Sequence, residues 1–400
     1  MAPIKVGIIG YGFSTKCFHV PFISAHPDLQ IACFVQRAEA PSDKAGAKPG
    51  SHCTVDHPEA KHYRTVDELF KDPDVELVVV CSHTDTHTSF AEQALLAGKH
   101  GRYPPNHKDA NARDADFVVE KPFTRTTEEA DKLISLAQEK GLVLTVFQNR
   151  RWDGDFQTLK ALIDKDALGT IKEAEIHYDI DSPPWVARMT GKEYSPGQGM
   201  AFGLGSHTID QALILFGRPE SVTGFFRALR GVESDIDDTF TIILQYGAPR
   251  QDLLVTIKTN IVSPMADQLK YFVRGTGGTF VKHGTCAQEQ QIFDGQKPTS
   301  SGFGSEPEHL YGLLTSRTDP SDILPREPAT SKVTYDALSK TYSARYPTVP
   351  GRWLGFYENV ADAIRGGAPL AVKPGESRDG IRVIELARES HERRATVAWY

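Results

Sequence analysis

Residues 4–15 read IKVGIIGYGFST, an apolar run followed at once by two glycines with one residue between them. The run predicts a buried strand, and the glycines predict a tight turn into a helix. Gly10 permits the turn, and Gly12 lets the backbone approach a pyrophosphate whose charge the helix N-terminus stabilises. A glycine pair alone is weak evidence, but its place between a first strand and a helix predicts a dinucleotide site. The other contacts predicted in this turn are Tyr11, Phe13 and Ser14.

Around this turn, the first part of the chain alternates short apolar runs with helical patterns. Such alternation is typical of βαβ units and of a parallel sheet covered by helices on both faces. We therefore predict an α/β Rossmann domain over residues 1–147. Its predicted strands are Ile4–Ile9, Ile31–Val35, Leu77–Cys81, Phe117–Val119 and Val143–Phe147.

The pattern changes in the second part of the chain. Residues 173–180 alternate polar and apolar side chains, a period of two that suits a sheet with one wet face. We predict an α+β domain over residues 148–400, with an open, largely antiparallel sheet flanked by helices. Its further predicted strands are Ser221–Ala228, Thr239–Tyr246, Leu253–Ile261 and Tyr271–Val273.

Two segments depart from these regular patterns. Residues 297–350 are rich in Ser, Pro, Thr and Gly and predict a long excursion over the surface, after which a helical pattern resumes at Trp353. The last helices could pack back on the first domain. Residues 101–116, GRYPPNHKDANARDAD, have no periodicity and precede a predicted parallel strand. Because ligands bind at the other end of such strands, we interpret this segment as a tolerated insertion rather than a functional lid.

Charge and cysteine content narrow the class of partner. The formal net charge is -7 and the chain has no basic cluster, which argues against nucleic acid and favours a small-molecule substrate. The five cysteines are an odd number without close pairing, as expected for reduced thiols. No run approaches the roughly 18 apolar residues of a membrane span, and no leader pattern precedes the first strand. By default, these features predict a cytoplasmic protein with no membrane partner.

The residues after the second predicted strand bear on the choice of dinucleotide. An acidic side chain there would hold a ribose 2′-hydroxyl, whereas the sequence reads Val35-Gln36-Arg37. Arg37 suits a 2′-phosphate, so we predict NADP as the cofactor. NAD remains possible if Glu39 serves the ribose instead. Thr15 occupies the third motif position, where its hydroxyl could touch phosphate or the helix could pack slightly away from the strand.

A candidate catalytic lysine follows the fourth predicted strand. Residues 119–123 read VEKPF, and the carboxyl end of a parallel strand is where a reactive side chain would project into the crevice. This run resembles the Glu-Lys-Pro signature of the glucose–fructose oxidoreductase and inositol dehydrogenase family. The resemblance implies that Lys121 lies beside the nicotinamide and the substrate hydroxyl, with Glu120 also at the cofactor.

Further stretches carry the same resemblance in the same order along the chain. Residues 18–21 (FHVP), 81–87 (CSHTDTH) and 147–153 (FQNRRWD) are similar to successive family motifs, and the last is similar to the branch of NADP-dependent scyllo-inositol dehydrogenases. The similarity spans the whole chain apart from the insertion. For the last motif, an interdomain hinge is the alternative to ligand contact. The cofactor contacts that the resemblance implies are Ser82, His83, His87, Asn149, Arg150 and Trp152.

The second domain supplies a candidate general acid and base in residues 203–210, GLGSHTID. His207 and Asp210 are three residues apart and share a helix face, so Asp210 could orient the imidazole and stabilise its cation. His207 would then take the substrate hydroxyl proton, while Lys121 hydrogen-bonds the substrate oxygen; no metal is needed. Gly203 replaces an Asp often found in the family four residues before the histidine.

The resemblance implies an oxidoreductase that transfers hydride between nicotinamide and a sugar, polyol or related carbonyl compound in an interdomain crevice. It also implies a homo-oligomer, a dimer or tetramer. Galactose-regulon inhibitor proteins share this fold and bind a dinucleotide and a protein partner without catalysis, so a regulatory function stays open. Biliverdin-reductase-like chemistry or dihydrodiol oxidation is a second alternative. The presence of both Lys121 and His207 favours catalysis.

Overall fold

The computed structural model describes residues 2–97, 116–325 and 332–400, and they form two compact units. The first unit comprises residues 1–148, 292–299 and 353–378. The second comprises residues 149–291, 300–352 and 379–400. The segment 101–116 interpreted as an insertion lies outside the described residues, except for Asp116, which begins a strand.

The first unit contains a six-stranded, entirely parallel sheet in the order β3-β2-β1-β4-β5-β6. This is the doubly wound order whose chain reversal lies between β1 and β4 and creates a ligand crevice at the carboxyl ends of the strands. The predicted Rossmann fold is thus confirmed. The strands are β1 Ile4–Ile9, β2 Leu29–Val35, β3 Lys61–Tyr63, β4 Leu77–Val80, β5 Asp116–Val119 and β6 Leu144–Val146.

The second unit contains a ten-stranded sheet in the order β14-β15-β13-β12-β11-β7-β10-β9-β8-β16. Only the described pair β7 and β10 is parallel, with Val255 opposite Ala174, and the other neighbours are antiparallel. The predicted open, largely antiparallel sheet is confirmed. Its strands are β7 Ile171–His177, β8 Ser221–Arg227, β9 Thr239–Gln245, β10 Leu254–Thr259, β11 Leu269–Gly275, β12 Gly278–His283, β13 Gly312–Ser316, β14 Thr334–Asp336, β15 Thr341–Tyr346 and β16 Val397–Ala398.

Local signals set the helix boundaries. The hydroxyl of Thr126 caps the N-terminus of α5 by accepting from the backbone N–H of Glu129 at 3.2 Å, and Gly141 ends it in the left-handed conformation. The α-helices are α1 Val20–Ala25, α2 Cys53–Asp56, α3 Val66–Lys71, α4 Thr84–Leu96, α5 Thr127–Lys140, α6 Gly154–Asp164, α7 Ser206–Phe216, α8 Ala287–Phe293, α9 Leu354–Ile364 and α10 Pro374–Arg393. Among the described residues, no helix combines the length and apolar character that a bilayer crossing requires.

The surface excursion predicted for residues 297–350 is wrong in part, because this segment contributes β13, β14 and β15 to the sheet. In β13 the residues alternate between buried and exposed, and Leu314 is fully buried. The strands carry several Thr and Tyr residues, which favour strands. The Ser and Pro content of the whole segment nevertheless indicates loop. These three strands are short and lie toward one end of the sheet. Few of their side chains are therefore apolar and buried, and the sequence pattern that indicates a strand is weak.

The core of the second unit lies between one face of its sheet and the helices that cover it. Ala174 and Ile176 of β7 are fully buried in this core. On α7, Ile209, Ala212 and Phe216 recur at helical spacing and are buried. This packing fixes α7 along its length and therefore fixes the residues on its other faces.

Candidate dinucleotide and catalytic site

The turn after β1 has a backbone shape that only glycine adopts easily. Gly10 has φ +105°, and a Cβ placed there would lie 2.2 Å from the carbonyl oxygen of Cys81. A Cβ at Gly12 would meet nothing within 4 Å. The first glycine is therefore required for packing, whereas the second leaves open space beside the backbone. These features fit the pyrophosphate of a dinucleotide.

Thr15, the third motif residue, makes its hydrogen bond inside the turn rather than at the surface of the turn. Its side chain is fully buried, and its hydroxyl donates to the carbonyl oxygen of Gly10 at 3.1 Å. The hydroxyl therefore has a partner within the turn, and its contact with phosphate stays a prediction. The segment Thr15–His19 is a π-helix, and α1 follows it from Val20.

A cavity of about 870 Å³ opens beside this turn in the first unit. A volume of this size is ample for a cofactor. The predicted cofactor residues that line it are Gly10, Tyr11, Gly12, Phe13, Ser14, Arg37, Ser82 and His83. Further lining residues that the sequence analysis did not name include Arg64, Thr65, Asp85, Thr86 and Phe90. The segments that follow β1, β2 and β4 carry these predicted residues, and all three segments border one cavity.

Glu120 contacts the glycine turn through Ser14 and is not among the residues that line the cavity. It is buried, and it accepts hydrogen bonds from the Ser14 hydroxyl and, at 2.6 Å, from the backbone N–H of Lys121. The imidazole of His19 lies 3.2 Å from the same carboxylate. Burial opposes ionisation of Glu120, but His19, the Lys121 charge and Ser14 outweigh it and lower the pKa to about 2. The carboxylate therefore ties the glycine turn to the segment carrying Lys121.

His87, predicted as a cofactor contact, is almost fully buried and is likewise absent from the described cavity lining. Its Nδ1 lies 2.8 Å from the carbonyl oxygen of Pro122, and its Nε2 lies 3.1 Å from that of Ser82. Burial lowers the pKa of His87 against the opposing effect of these carbonyls. The imidazole thus joins the segment after β4 to the segment after β5. Lys121, which precedes Pro122 through a cis peptide bond, is half-buried and is not a lining residue either.

In the second unit, His207 lies in the first turn of α7 and is 5% exposed. Asp210, predicted to orient it, accepts two hydrogen bonds from the guanidinium of Arg151, Nε to Oδ2 at 2.8 Å and Nη2 to Oδ1 at 2.7 Å. Arg151 is not among the site residues predicted from the sequence. The bidentate pair holds α7 against the short 3-10 helix Asn149–Trp152.

The same 3-10 helix places Arg150 in a second buried cluster. Its guanidinium contacts the hydroxyl of Tyr178, the carboxylate of Glu289 at 2.5 Å and that of Asp153 at 3.4 Å. The ring of Tyr178 lies 6.5 Å from the imidazole of His207, centroid to centroid. Burial raises the pKa of Tyr178 far above its usual range, so its hydroxyl is neutral while it accepts the hydrogen bond from Arg150. Of the other residues of this motif predicted as contacts, Asn149 is buried and Trp152 is half-buried.

Two further groups of side chains bring possible metal-ligand atoms within 4.8 Å of one another: His52, Cys53 and His62, and His19, Cys81 and Glu120. In the first group, both imidazoles already bond to backbone carbonyls of the loop after β2. In the second, His19 and Glu120 bond to each other. These hydrogen bonds tie the histidines of both groups, and Glu120, into the fold.

A Rossmann sheet and a glycine turn that opens on a large cavity define a dinucleotide-binding protein as the class of this chain. Residues 4–101 match the family model described as the oxidoreductase family with an NAD-binding Rossmann fold. Residues 156–281 match the model of the GFO/IDH/MocA C-terminal domain.

Whole-chain comparisons agree with the two domain matches. An oxidoreductase of Schizosaccharomyces pombe is 35% identical over 99% of this chain and 100% of its own length. The scyllo-inositol 2-dehydrogenase (NADP(+)) IolW of Bacillus subtilis is 32% identical over 98% of this chain and 95% of its own. The crystal structure of the oxidoreductase yvaA of B. subtilis superimposes with a TM-score of 0.80 at 30% identity, covering 100% of this chain and 99% of that one.

The chain belongs to the glucose–fructose oxidoreductase and inositol dehydrogenase family, and it is an NAD(P)-dependent dehydrogenase. Its relatives include inositol and dihydrodiol dehydrogenases; the trans-1,2-dihydrobenzene-1,2-diol dehydrogenase of Xenopus tropicalis is 27% identical over 48% of this chain and 53% of its own length.

Proposed function

We propose that this protein is an NADP-dependent dehydrogenase that oxidises a secondary hydroxyl of a polyol or sugar, or reduces the corresponding carbonyl. The observation that carries the proposal is the cavity beside Gly12, which Arg37 lines at the end of β2. A guanidinium at this position suits a 2′-phosphate. The whole-length relative named as an NADP-dependent scyllo-inositol dehydrogenase supports a polyhydroxylated substrate.

The cofactor would be held by the glycine turn, by Arg37 and by Ser82 and His83, all of which line the cavity. When bound, NADP supplies the nicotinamide that accepts or returns the hydride. The protein positions the side chains around the nicotinamide. Glu120 and His87 fix the backbone on either side of Lys121, and so they orient the chain that carries the ammonium.

Lys121 and His207 are proposed to act on the same substrate oxygen. The Lys121 ammonium donates a hydrogen bond to that oxygen and stabilises negative charge on it. His207 accepts the hydroxyl proton during oxidation and returns it during reduction. Asp210, held in place by Arg151, stabilises the charge of the protonated imidazole from the next turn of α7. Gly203, without a side chain, contributes no carboxylate toward a substrate hydroxyl.

A substrate panel tests this proposal. Purified protein is assayed with inositols, hexoses, sugar acids and aldehydes at the absorbance of reduced nicotinamide, beside Lys121→Ala and His207→Ala. We expect each substitution to reduce turnover of the accepted substrate about a hundredfold or more, while the Kd for NADPH stays within about threefold of wild type.

Exposed residues of the same types, Lys71→Ala and His283→Ala, are matched controls that should retain wild-type rates. Unchanged turnover in either catalytic variant would contradict the role of that residue. NADPH binding without turnover of any compound in the panel would contradict the dehydrogenase reaction as proposed and favour a regulatory use of the bound dinucleotide.

A further inference from the structure

Arg64, which the sequence analysis did not name, lies beside Arg37 at the rim of the cavity. It is the first residue after β3, and β3 pairs in parallel with β2 so that Tyr63 lies opposite Val35. The chain therefore leaves both strands at the same edge of the sheet. Both Arg37 and Arg64 line the cavity.

Three hydrogen bonds from side chains hold the backbone of the loop after β2. The imidazoles of His62 and His52 bond to the carbonyl oxygens of Gln36 at 2.9 Å and of Ala38 at 3.3 Å. Nε of Arg64 donates to the carbonyl oxygen of Arg37 at 3.2 Å. The side chain of Arg37, by contrast, makes no hydrogen bond or ion pair with any other residue that the structure describes. A fixed backbone with an available guanidinium is a preorganised arrangement for an anion.

Glu39 does not line the cavity, but its charge would oppose an anion held by Arg64 if that charge were not balanced. Its carboxylate accepts a hydrogen bond from Nη1 of Arg64 at 2.7 Å. An acidic residue after the second strand of a Rossmann domain favours NAD, because it accepts from the ribose 2′-hydroxyl and repels a 2′-phosphate. The ion pair with Arg64 thus balances the charge of the Glu39 carboxylate, which would otherwise select against NADP. Arg64 also keeps further N–H donors on a planar group suited to phosphate oxygens.

We propose that Arg64 is a specificity-determining residue: it neutralises Glu39 and forms, with Arg37, a two-guanidinium site for the 2′-phosphate of NADP. The inference rests on the NADP use proposed above and adds the residue that makes it compatible with an acidic loop. Arg37 contributes attraction alone, whereas Arg64 contributes attraction and removes a repulsion.

Binding measurements test this without any substrate. The probes are NADPH and NADH, together with adenosine 2′,5′-bisphosphate and adenosine 5′-monophosphate, which differ only in the 2′-phosphate. In Arg64→Ala we expect affinity for the two 2′-phosphorylated probes to fall about tenfold or more, and affinity for the other two to change less than about threefold. Arg64→Lys keeps the charge and should recover part of the loss.

The second substitution Glu39→Gln in the Arg64→Ala background separates the two contributions of Arg64. Removing the carboxylate should raise NADPH affinity by about threefold or more above that of Arg64→Ala. Arg317→Ala, an exposed arginine of the second unit, is the control and should leave all four affinities unchanged.

The possible results are distinct. A selective loss in Arg64→Ala that Glu39→Gln partly reverses supports the proposal. An unchanged ratio of NADPH to NADH affinity in Arg64→Ala overturns it, and a selective loss without reversal overturns the neutralising role of Arg64. Tighter binding of NADH than of NADPH by the wild-type protein would instead defeat the NADP use on which the inference rests.

Discussion

Replacing Gly10 by alanine is expected to destabilise the protein by at least about 3 kcal/mol and to abolish dinucleotide binding. The added Cβ would lie 2.2 Å from the carbonyl oxygen of Cys81, which is a backbone atom and cannot rotate away. The left-handed φ of +105° adds strain for any residue with a side chain. Either the end of β4 or the turn after β1 must move, and both border the cavity. Chemical denaturation and NADPH titration measure the two effects.

Gly12→Ala is the matched control for that substitution. The same methyl group at position 12 meets nothing within 4 Å and lies in open space beside the turn. We expect its free energy of unfolding to stay within about 1 kcal/mol of wild type, because the protein itself has room for the side chain. NADPH affinity should nevertheless fall about tenfold or more, because the methyl group occupies space needed for close approach of the pyrophosphate. Equal loss of stability in both variants would contradict the separate roles assigned to the two glycines.

The sequence predicted the first unit well where one residue type is physically required. Gly10 could be identified because a turn with positive φ against a neighbouring strand admits little else. β1 was predicted at its observed bounds because an apolar run of its length in a parallel sheet is covered on both faces. On α7 the spacing of Ile209, Ala212 and Phe216 along the sequence is helical, and the same three side chains are buried.

The parts that the sequence did not reveal depend on contacts between distant residues or on short strands. β3 has three residues, Lys61–Tyr63, with no fully buried side chain, so neither the strand nor Arg64 after it had an apolar signal. The partner of Asp210 is Arg151, 59 positions away, and no local pattern reports such a pair. His19 belonged to a recognised motif, but its contacts with Glu120 and Tyr357 follow only from folding.

Replacing His19 by alanine is expected to destabilise the first unit by about 3–5 kcal/mol, because it leaves the buried carboxylate of Glu120 without its cationic partner. His19 is fully buried, its Nδ1 lies 2.6 Å from the hydroxyl of Tyr357 and its Nε2 lies 3.2 Å from Glu120. The double variant His19→Gln with Glu120→Gln removes both charges and should lose less stability than His19→Ala. A His19→Ala protein within about 1 kcal/mol of wild type would show that the pair is not ionised.

The pH dependence of stability provides an independent check on this pair. The pKa of Glu120 is lowered from 4.5 to about 2, so its contribution is complete above about pH 4.5 and is lost as the pH falls toward 2. Burial acts to lower the pKa of His19, but Tyr357, Cys81 and Glu120 outweigh it and raise the pKa well above 6.5. The imidazolium contribution is therefore complete below pH 6.5 and is lost as the pH rises through the raised value.

The pair should contribute most between these limits, and the unfolding free energy of the wild-type protein should decline from neutral toward alkaline pH. In His19→Gln this part of the decline should disappear, because a neutral amide replaces the group that loses its proton. Urea denaturation of both proteins across this range measures the difference in slope. Parallel profiles for the two proteins would mean that His19 is already neutral in the fold, and Glu120 would then owe its low pKa to Lys121 and Ser14.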